Sequence, residues 1–252
     1  MTLKILSLNL WEGGILWDNI VKLLKREDPD IMCLQEAFNA KPSAPLQFQT
    51  VSRMRELLPL HYHTYAPELY EIRPEGEGDT GNLLISKYPI AHSETIFLHG
   101  EYQKITRPDT IEFSHYPKNM QCALIHLPNN RELHIHNVHG IWGLDGSDSP
   151  ERLRMSRIIT THVGDKQNII VAGDFNLKPD TQTISAIEQK LTNVFKGAMS
   201  SSFNMKHKTN PGYATAVVDM VFASPDVAIV DKKILEDDVS DHKGLLLTVD
   251  TS

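Results

Sequence analysis

The chain has 252 residues, 40% of them hydrophobic and 23% charged, with a formal net charge of −7. That balance belongs to a folded globular chain rather than a disordered one, and no apolar run approaches the roughly 18 residues of a transmembrane helix. No Lys/Arg block exceeds Lys25-Arg26, which weighs against a protein that coats long nucleic acid, whose phosphates need a basic face.

Residues 3–10 alternate as a strand, with Leu3, Ile5, Ser7 and Asn9 on one face. Trp11-Glu12-Gly13-Gly14 breaks it, and residues 15–27 carry Ile15, Ile20, Leu23 and Leu24 as the stripe of an amphipathic helix. Residues 30–36 form a second strand, apolar almost throughout and so covered on both faces, which ends in Glu36. A loop over 37–48, a short helix over 49–58 and a weak strand over 62–65 follow. Residues 71–80 are acidic and glycine-rich, a mobile loop by composition.

Strands are expected over 81–86 and 90–98, then a polar, irregular segment over 99–119. Residues 121–126 and 132–139 read as a hairpin joined by Pro128-Asn129-Asn130. After a Gly/Asp/Ser loop over 140–149, Ser149-Pro150-Glu151 opens a helix to about residue 164, with Pro at the first helical position and an acid in the first turn. Asn168 to Asn176 is an apolar strand that runs into Gly173-Asp174-Phe175-Asn176. A helix over 181–190 and an exposed loop over 197–212 come next. The apolar stretch 216–223 surrounds a lone acid, Asp219, and strands near 227–235 and 245–249 complete the chain. Ser240-Asp241-His242 stands immediately before the last. No internal repeat, low-complexity tract or linker interrupts the sequence, so one domain over 1–252 is expected, built as two packed sheets flanked by helices.

Cys33 and Cys122 both lie inside apolar runs and read as buried, inert thiols. Met1-Thr2-Leu3-Lys4 enters the first strand directly, with no charged leader or cleavage site. Together these point to a cytoplasmic protein.

The polar residues gather at strand ends. Asp174 and Asn176 are two apart and share a side if extension continues. Asp174 leaves an apolar strand, which is unfavourable unless the carboxylate meets a cation or donors, and Gly173 removes a side chain where something approaches the backbone. Asn137 and His139 end the face that begins with Leu133 and Ile135. His134 and His136 alternate to the other face, as surface histidines. The closeness of the three histidines, His134, His136 and His139, also raises a zinc reading, set aside because neither cysteine is near in sequence and the carboxylates suit a harder ion. Asp219 needs a partner inside its apolar run, and His242 is a candidate. Glu36, Asp174 and Asp241, with Asn9, Asn137 and Asn176 and the imidazoles of His139 and His242, form an oxygen-rich set suited to magnesium or manganese. Phosphoester hydrolysis calls for a nucleophilic water, cancelled phosphoryl charge and donors to the equatorial oxygens, which these groups can supply. No Gly-x-Ser-x-Gly elbow is present.

The ordered pieces Leu8-Asn9-Leu10, Leu34-Gln35-Glu36, Gly81-Asn82-Leu83-Leu84-Ile85-Ser86 with Tyr88-Pro89-Ile90, Asn137-Val138-His139, Gly173-Asp174-Phe175-Asn176, Val218-Asp219-Met220-Val221-Phe222 and Ser240-Asp241-His242 resemble the endonuclease/exonuclease/phosphatase superfamily of metal-dependent phosphoesterases. The resemblance implies an α/β fold, the four-layer αββα sandwich, with the site at one edge of the two sheets. It implies Glu36 as main metal ligand with Asn9 and Asp241 close by, Asp174 on the attacking water, Asn176 and Asn137 on the phosphate, His139 as phosphate donor or proton source, and His242 paired to Asp219. Gly140 stands where a larger apolar residue is common, Met220 replaces a frequent aromatic, and the acidic charge argues against avid duplex binding. The expected function is a Mg2+-dependent phosphodiester hydrolase, leading as a nuclease or nucleic-acid-end phosphodiesterase. The alternatives are an enzyme for a small phosphorylated metabolite or lipid head group, of inositol phosphate or sphingomyelinase type, and an inactive binding module on the same fold. No protein partner is inferred.

Overall fold

The computed structural model describes residues 1–107 and 115–251. Thirteen strands among these residues form two sheets. The first contains β1 (Thr2–Asn9), β2 (Ile31–Asn39), β3 (Tyr62–Arg73), β4 (Gly76–Ser86), β6 (Lys104–Thr106), β12 (Ala228–Leu235) and β13 (Gly244–Asp250), in the order β12-β13-β1-β2-β4-β3-β6. The second contains β5 (Ile90–His99), β7 (Lys118–Leu127), β8 (Arg131–His139), β9 (Ile169–Asp174), β10 (Thr192–Asn193) and β11 (Asp219–Ala223), in the order β10-β11-β9-β8-β7-β5.

Period-two alternation explains the layers. Leu3, Ile5, Ile31 and Cys33 of the first sheet meet Ile125, Leu133, Ile135, Ile170 and Val221 of the second in a buried core between them. Outside the first sheet, α1 (Trp17–Glu27) and α2 (Thr50–Leu57) place Ile20, Leu23, Val51 and Met54 on Leu6, Leu8, Met32 and Leu34. Outside the second, α3 (Pro150–Val163) and α4 (Gln182–Glu188) place Met155, Ile159, Ile184 and Ile187 on Met120, Val138, Val171 and Phe222. This is the αββα sandwich. The Ser149 hydroxyl caps α3 by accepting from the Arg152 N–H. No helix among the described residues is long and apolar enough to cross a membrane.

Several segments differ from the sequence expectation. Residues 71–80 are no loop: they are the far ends of the β3–β4 hairpin, down to Arg73 opposite Gly76. Two of their charges are internal, since buried Arg73 donates to buried Glu71 at 2.6 Å, and an ion-paired acid looks from sequence like a solvated one. The expected loop 37–48 yields its start to β2, which runs to Asn39. The irregular segment 99–119 contains β6 and the start of β7, while its residues 108–114 lie outside the described residues. His136 is not a surface histidine. It is 1% exposed, on the face of β8 beneath α3, and burial, aided by the nearby His162, His134 and Lys166, drives it down to about 3.

Candidate active site

β1 and β2 run parallel, so Asn9 and Glu36 emerge at the same end of the first sheet. A bulge between Leu34 and Ala37 interrupts the pairing of β2 with β4 there, and Glu36 takes φ +57°. The bulge re-aims one side chain: buried Gln35 turns inward to donate to Asn137 at 2.6 Å, and Glu36 turns to the cavity. In the second sheet His139 pairs with Asp174, and Asp174 with Asp219, so three strands set these residues abreast. Asp241 and His242 arrive on the segment before β13. The approach that Gly173 permits is to the Val138 carbonyl, which a Cβ there would meet at 1.9 Å, and its φ is +149°. Gly140 has a like reason: a Cβ would stand 2.2 Å from the Phe175 carbonyl oxygen.

These groups surround a cavity of about 170 Å³, lined among others by Glu36, His139, Asp174, Asn176, Asp241 and His242. The buried Asn9 amide ties two of the acids, donating to Glu36 Oε1 and Asp174 Oδ2, both at 3.1 Å. Glu36 Oε2 accepts the Glu12 N–H at 2.7 Å. Burial works to raise the Glu36 carboxyl, but His139, the Glu12 N–H, Lys118 and Asn9 outweigh it and hold it at about 2. Asp174 Oδ1 accepts the Asn176 N–H at 2.8 Å, and Asn176 Nδ2 donates to the Gly140 carbonyl at 3.1 Å.

His242 Nδ1 lies 2.8 Å from Asp219 Oδ2, and its Nε2 lies 4.0 Å from both Asp174 and Asp241. Burial opposes charge on this ring, but Asp219, Asp241 and Asp174 prevail and lift it to about 10. Asp219 does not line the cavity but is hydrogen-bonded to His242, which does. In the close trio Asp174, Asp219 and His242, His242 Nδ1 is already committed to Asp219, and Asp174 stands 4.0 Å from Nε2.

Asn137 is the sequence candidate that the fold takes elsewhere. It is fully buried between the sheets and absent from the cavity lining. Its amide donates to the Leu34 and Leu83 carbonyls at 3.1 and 3.3 Å, and its oxygen accepts from Gln35. Asn82 and Asn119 continue this polar seam at 2.8 Å. Asn137 braces one sheet against the other, since its inward face reaches the facing strands before it reaches the cavity.

Sequence reading missed the cations. Lys118 Nζ lies 3.2 Å from Glu68 and 3.0 Å from His139 Nε2, and His139 Nδ1 lies 3.1 Å from Glu68. Lys208, in the supposed exposed loop, lies 2.7 Å from Asp241. Arg73 and Arg107 form a wall, both paired to Glu12 at 3.0 and 2.8 Å. The only local signal was the run of cations and histidine at 206–208; the rest depend on β3 and β7 being longer than their patterns.

A profile of the Endonuclease/Exonuclease/phosphatase family matches residues 6–242. The chain belongs to that family. Members are hydrolytic phosphoesterases and generally use a divalent metal. Among curated proteins, the uncharacterized protein YbhP of Escherichia coli K12 is 25% identical over 182 residues, covering 69% of this chain and 66% of its own length. Solved structures share the fold. The endonuclease/exonuclease/phosphatase from Beutenbergia cavernae superposes with a TM-score of 0.75 at 16% identity, over 98% of this chain and 71% of its own. A mannosyl-6-phosphatase of Bacteroides thetaiotaomicron gives 0.74 at 16% over 98% and 99%. TDP2 of D. rerio, complexed with single strand DNA product, gives 0.72 at 18% over 99% of each chain.

Proposed function

We propose that this member of the family is a Mg2+-dependent phosphodiester hydrolase that takes a phosphoester at the end of a single-stranded nucleic acid. The observation that carries the chemistry is the Asn9 bridge, which holds Glu36 and Asp174 on one cavity, with His242, paired to Asp219, 4.0 Å from Asp174.

The donors fit a hard divalent ion. Glu36 is held anionic, and Asp241 already faces a cation in Lys208. Glu36 and Asp241 would hold the metal, with Asn9 orienting Glu36. When bound, the cation supplies cancellation of charge on the phosphoryl oxygens. Asp174, fixed by Asn9 and the Asn176 N–H, orients the attacking water in line with the leaving oxygen and accepts its proton. The Asn176 amide and His139, with Lys118 beside it, hold phosphoryl oxygens. His242, kept doubly protonated by Asp219, directs Nε2–H at the charge that grows in the transition state.

Trp11, Trp142 and Tyr213 are among the residues that line the cavity, and aromatic rings are the groups on which bases stack. The likeness to TDP2 supports the same substrate class. A second reading, a small phosphorylated metabolite, is favoured by the paired state of Arg73 and Arg107 and the −7 charge, which leave little basic surface for a long backbone.

A magnesium-supplied panel of single- and double-stranded DNA, RNA, protein-linked DNA ends, sugar and inositol phosphates and sphingomyelin tests the proposal. EDTA abolishes turnover and Mg2+ restores it. Rising ionic strength depresses cleavage of a nucleic-acid end and leaves that of a small ester nearly unchanged. Hydrolysis of none of these with Mg2+ or Mn2+ defeats the proposal.

A further inference from the structure

Beneath α3, on the outer face of the second sheet, three metal-ligating side chains converge from distant parts of the chain. Cys122 of β7 and His136 of β8 are directly opposed in the antiparallel ladder. His162 of α3 stands over them, its ring 5.1 Å from that of His136 and at 88° to it. One ligand atom from each of Cys122, His136 and His162 lies within 4.8 Å of the other two. Glu94 of β5, opposite Cys122 in the next ladder, brings Oε1 to 3.7 Å from His162 Nε2.

The second observation concerns His136. Its side chain is buried, and neither ring nitrogen has a hydrogen-bond partner. A buried imidazole with both nitrogens unpartnered is unfavourable and uncommon. The Cys122 thiol reaches only the Met120 carbonyl, at 4.0 Å. These are two soft or borderline donor types in one pocket, without the oxygen wealth of the cavity.

We propose that Cys122, His136 and His162 form a second metal site, separate from the phosphoesterase cavity, for a borderline d-block divalent ion of the zinc type, with Glu94 or solvent as fourth ligand. Thiolate and imidazole select such an ion over magnesium. Tetrahedral zinc sets N···N and N···S separations at about 3.3–3.6 Å, so each ligand atom moves inward by about 1 Å or less. His162 is 18% exposed and gives the ion its way in. On binding, the Cys122 S–H bond breaks, the sulfur–metal bond forms and one proton leaves to solvent; the two imidazoles donate lone pairs and nothing is oxidised. The ion would pin α3 to β7 and β8. That helix also carries Arg152, which donates to the Asn176 and Ile141 carbonyls at 2.9 and 3.0 Å beside the cavity.

The test uses the whole chain, stripped with a chelator and then saturated with Mg2+. Titrated Co2+ gives one equivalent with a thiolate-to-cobalt charge-transfer band in the near ultraviolet, which Zn2+ bleaches, and Zn2+ raises the melting temperature. Cys122→Ser abolishes the band, while Cys33→Ser, altering the thiol between the sheets, retains it. His162→Ala, on the partly exposed helix face, weakens Co2+ binding at least 100-fold with unchanged circular dichroism, which guards against a variant that merely misfolds. Metal held in the oxygen-rich cavity gives no thiolate band. Absence of the band in the wild type, or its persistence in Cys122→Ser, overturns the proposal.

Discussion

One strand, β8, serves two clusters of opposite character. On its inner face His139 enters a cavity where carboxylates, amides and ammonium groups are cross-braced by hydrogen bonds and ion pairs. Three residues earlier, on its outer face, His136 joins a thiol and an imidazole with no hydrogen bond to either ring nitrogen. The inner groups are fixed before any ligand arrives, which suits them to charge that develops in a transition state. The outer groups are close but unsatisfied, which suits them to an ion that completes them. The difference shows that pleat periodicity distributes histidines to two tasks, and that partners across the fold decide which.

The comparison breaks most visibly at the inner cluster. Asp174→Ala and His242→Ala should each lower turnover at least 100-fold, about 2.7 kcal/mol or more of barrier. Steady-state kinetics on the substrate identified by the panel measure this; near-wild-type turnover in either variant would sink the assigned roles.

The seam that separates the two faces comes next. Asn137→Ala removes the acceptor of one Gln35 hydrogen bond and the donor to the Leu34 and Leu83 carbonyls, and should destabilise the protein by about 1–3 kcal/mol. Urea unfolding reads the loss. An unchanged midpoint would mean that Asn137 does not brace the sheets.

His136 sharpens the contrast through pH. Its folded value is depressed to about 3, below the ordinary 6.5. Between those values the unfolded chain binds a proton that the folded chain does not, so stability is lost as pH falls below 6.5. In metal-stripped protein this contributes a loss of about 2 kcal/mol on going from pH 7 to pH 5. His136→Leu should flatten that part of the profile; an identical slope in both proteins would refute the assignment of a neutral buried imidazole.

Much of the site was legible in local pattern. Apolar runs that end in Asn9, Glu36, His139 and Asp174, and one that begins just after Asp241-His242, announce strands delivering polar groups to one end, because burying such groups without partners is unfavourable. The partner of Asp219 could also be named, since a lone acid in an apolar strand requires one, and His242 stands at 2.8 Å. Sequence by itself determined the two-sheet sandwich, its main helices and this ring of strand ends, because periodicity and strand-end polarity are properties of neighbours along the chain. Tertiary structure alone decided the rest. It made Glu71 and Arg73 an internal ion pair rather than a solvated loop, and it moved Asn137 from the phosphate to the seam. It brought Lys118 and Lys208 to the cavity, and it set Cys122 against His136 and His162. Each of these turns on which distant strand, loop or helix packs opposite, and a contact between residues far apart in the chain leaves no periodic trace in either segment.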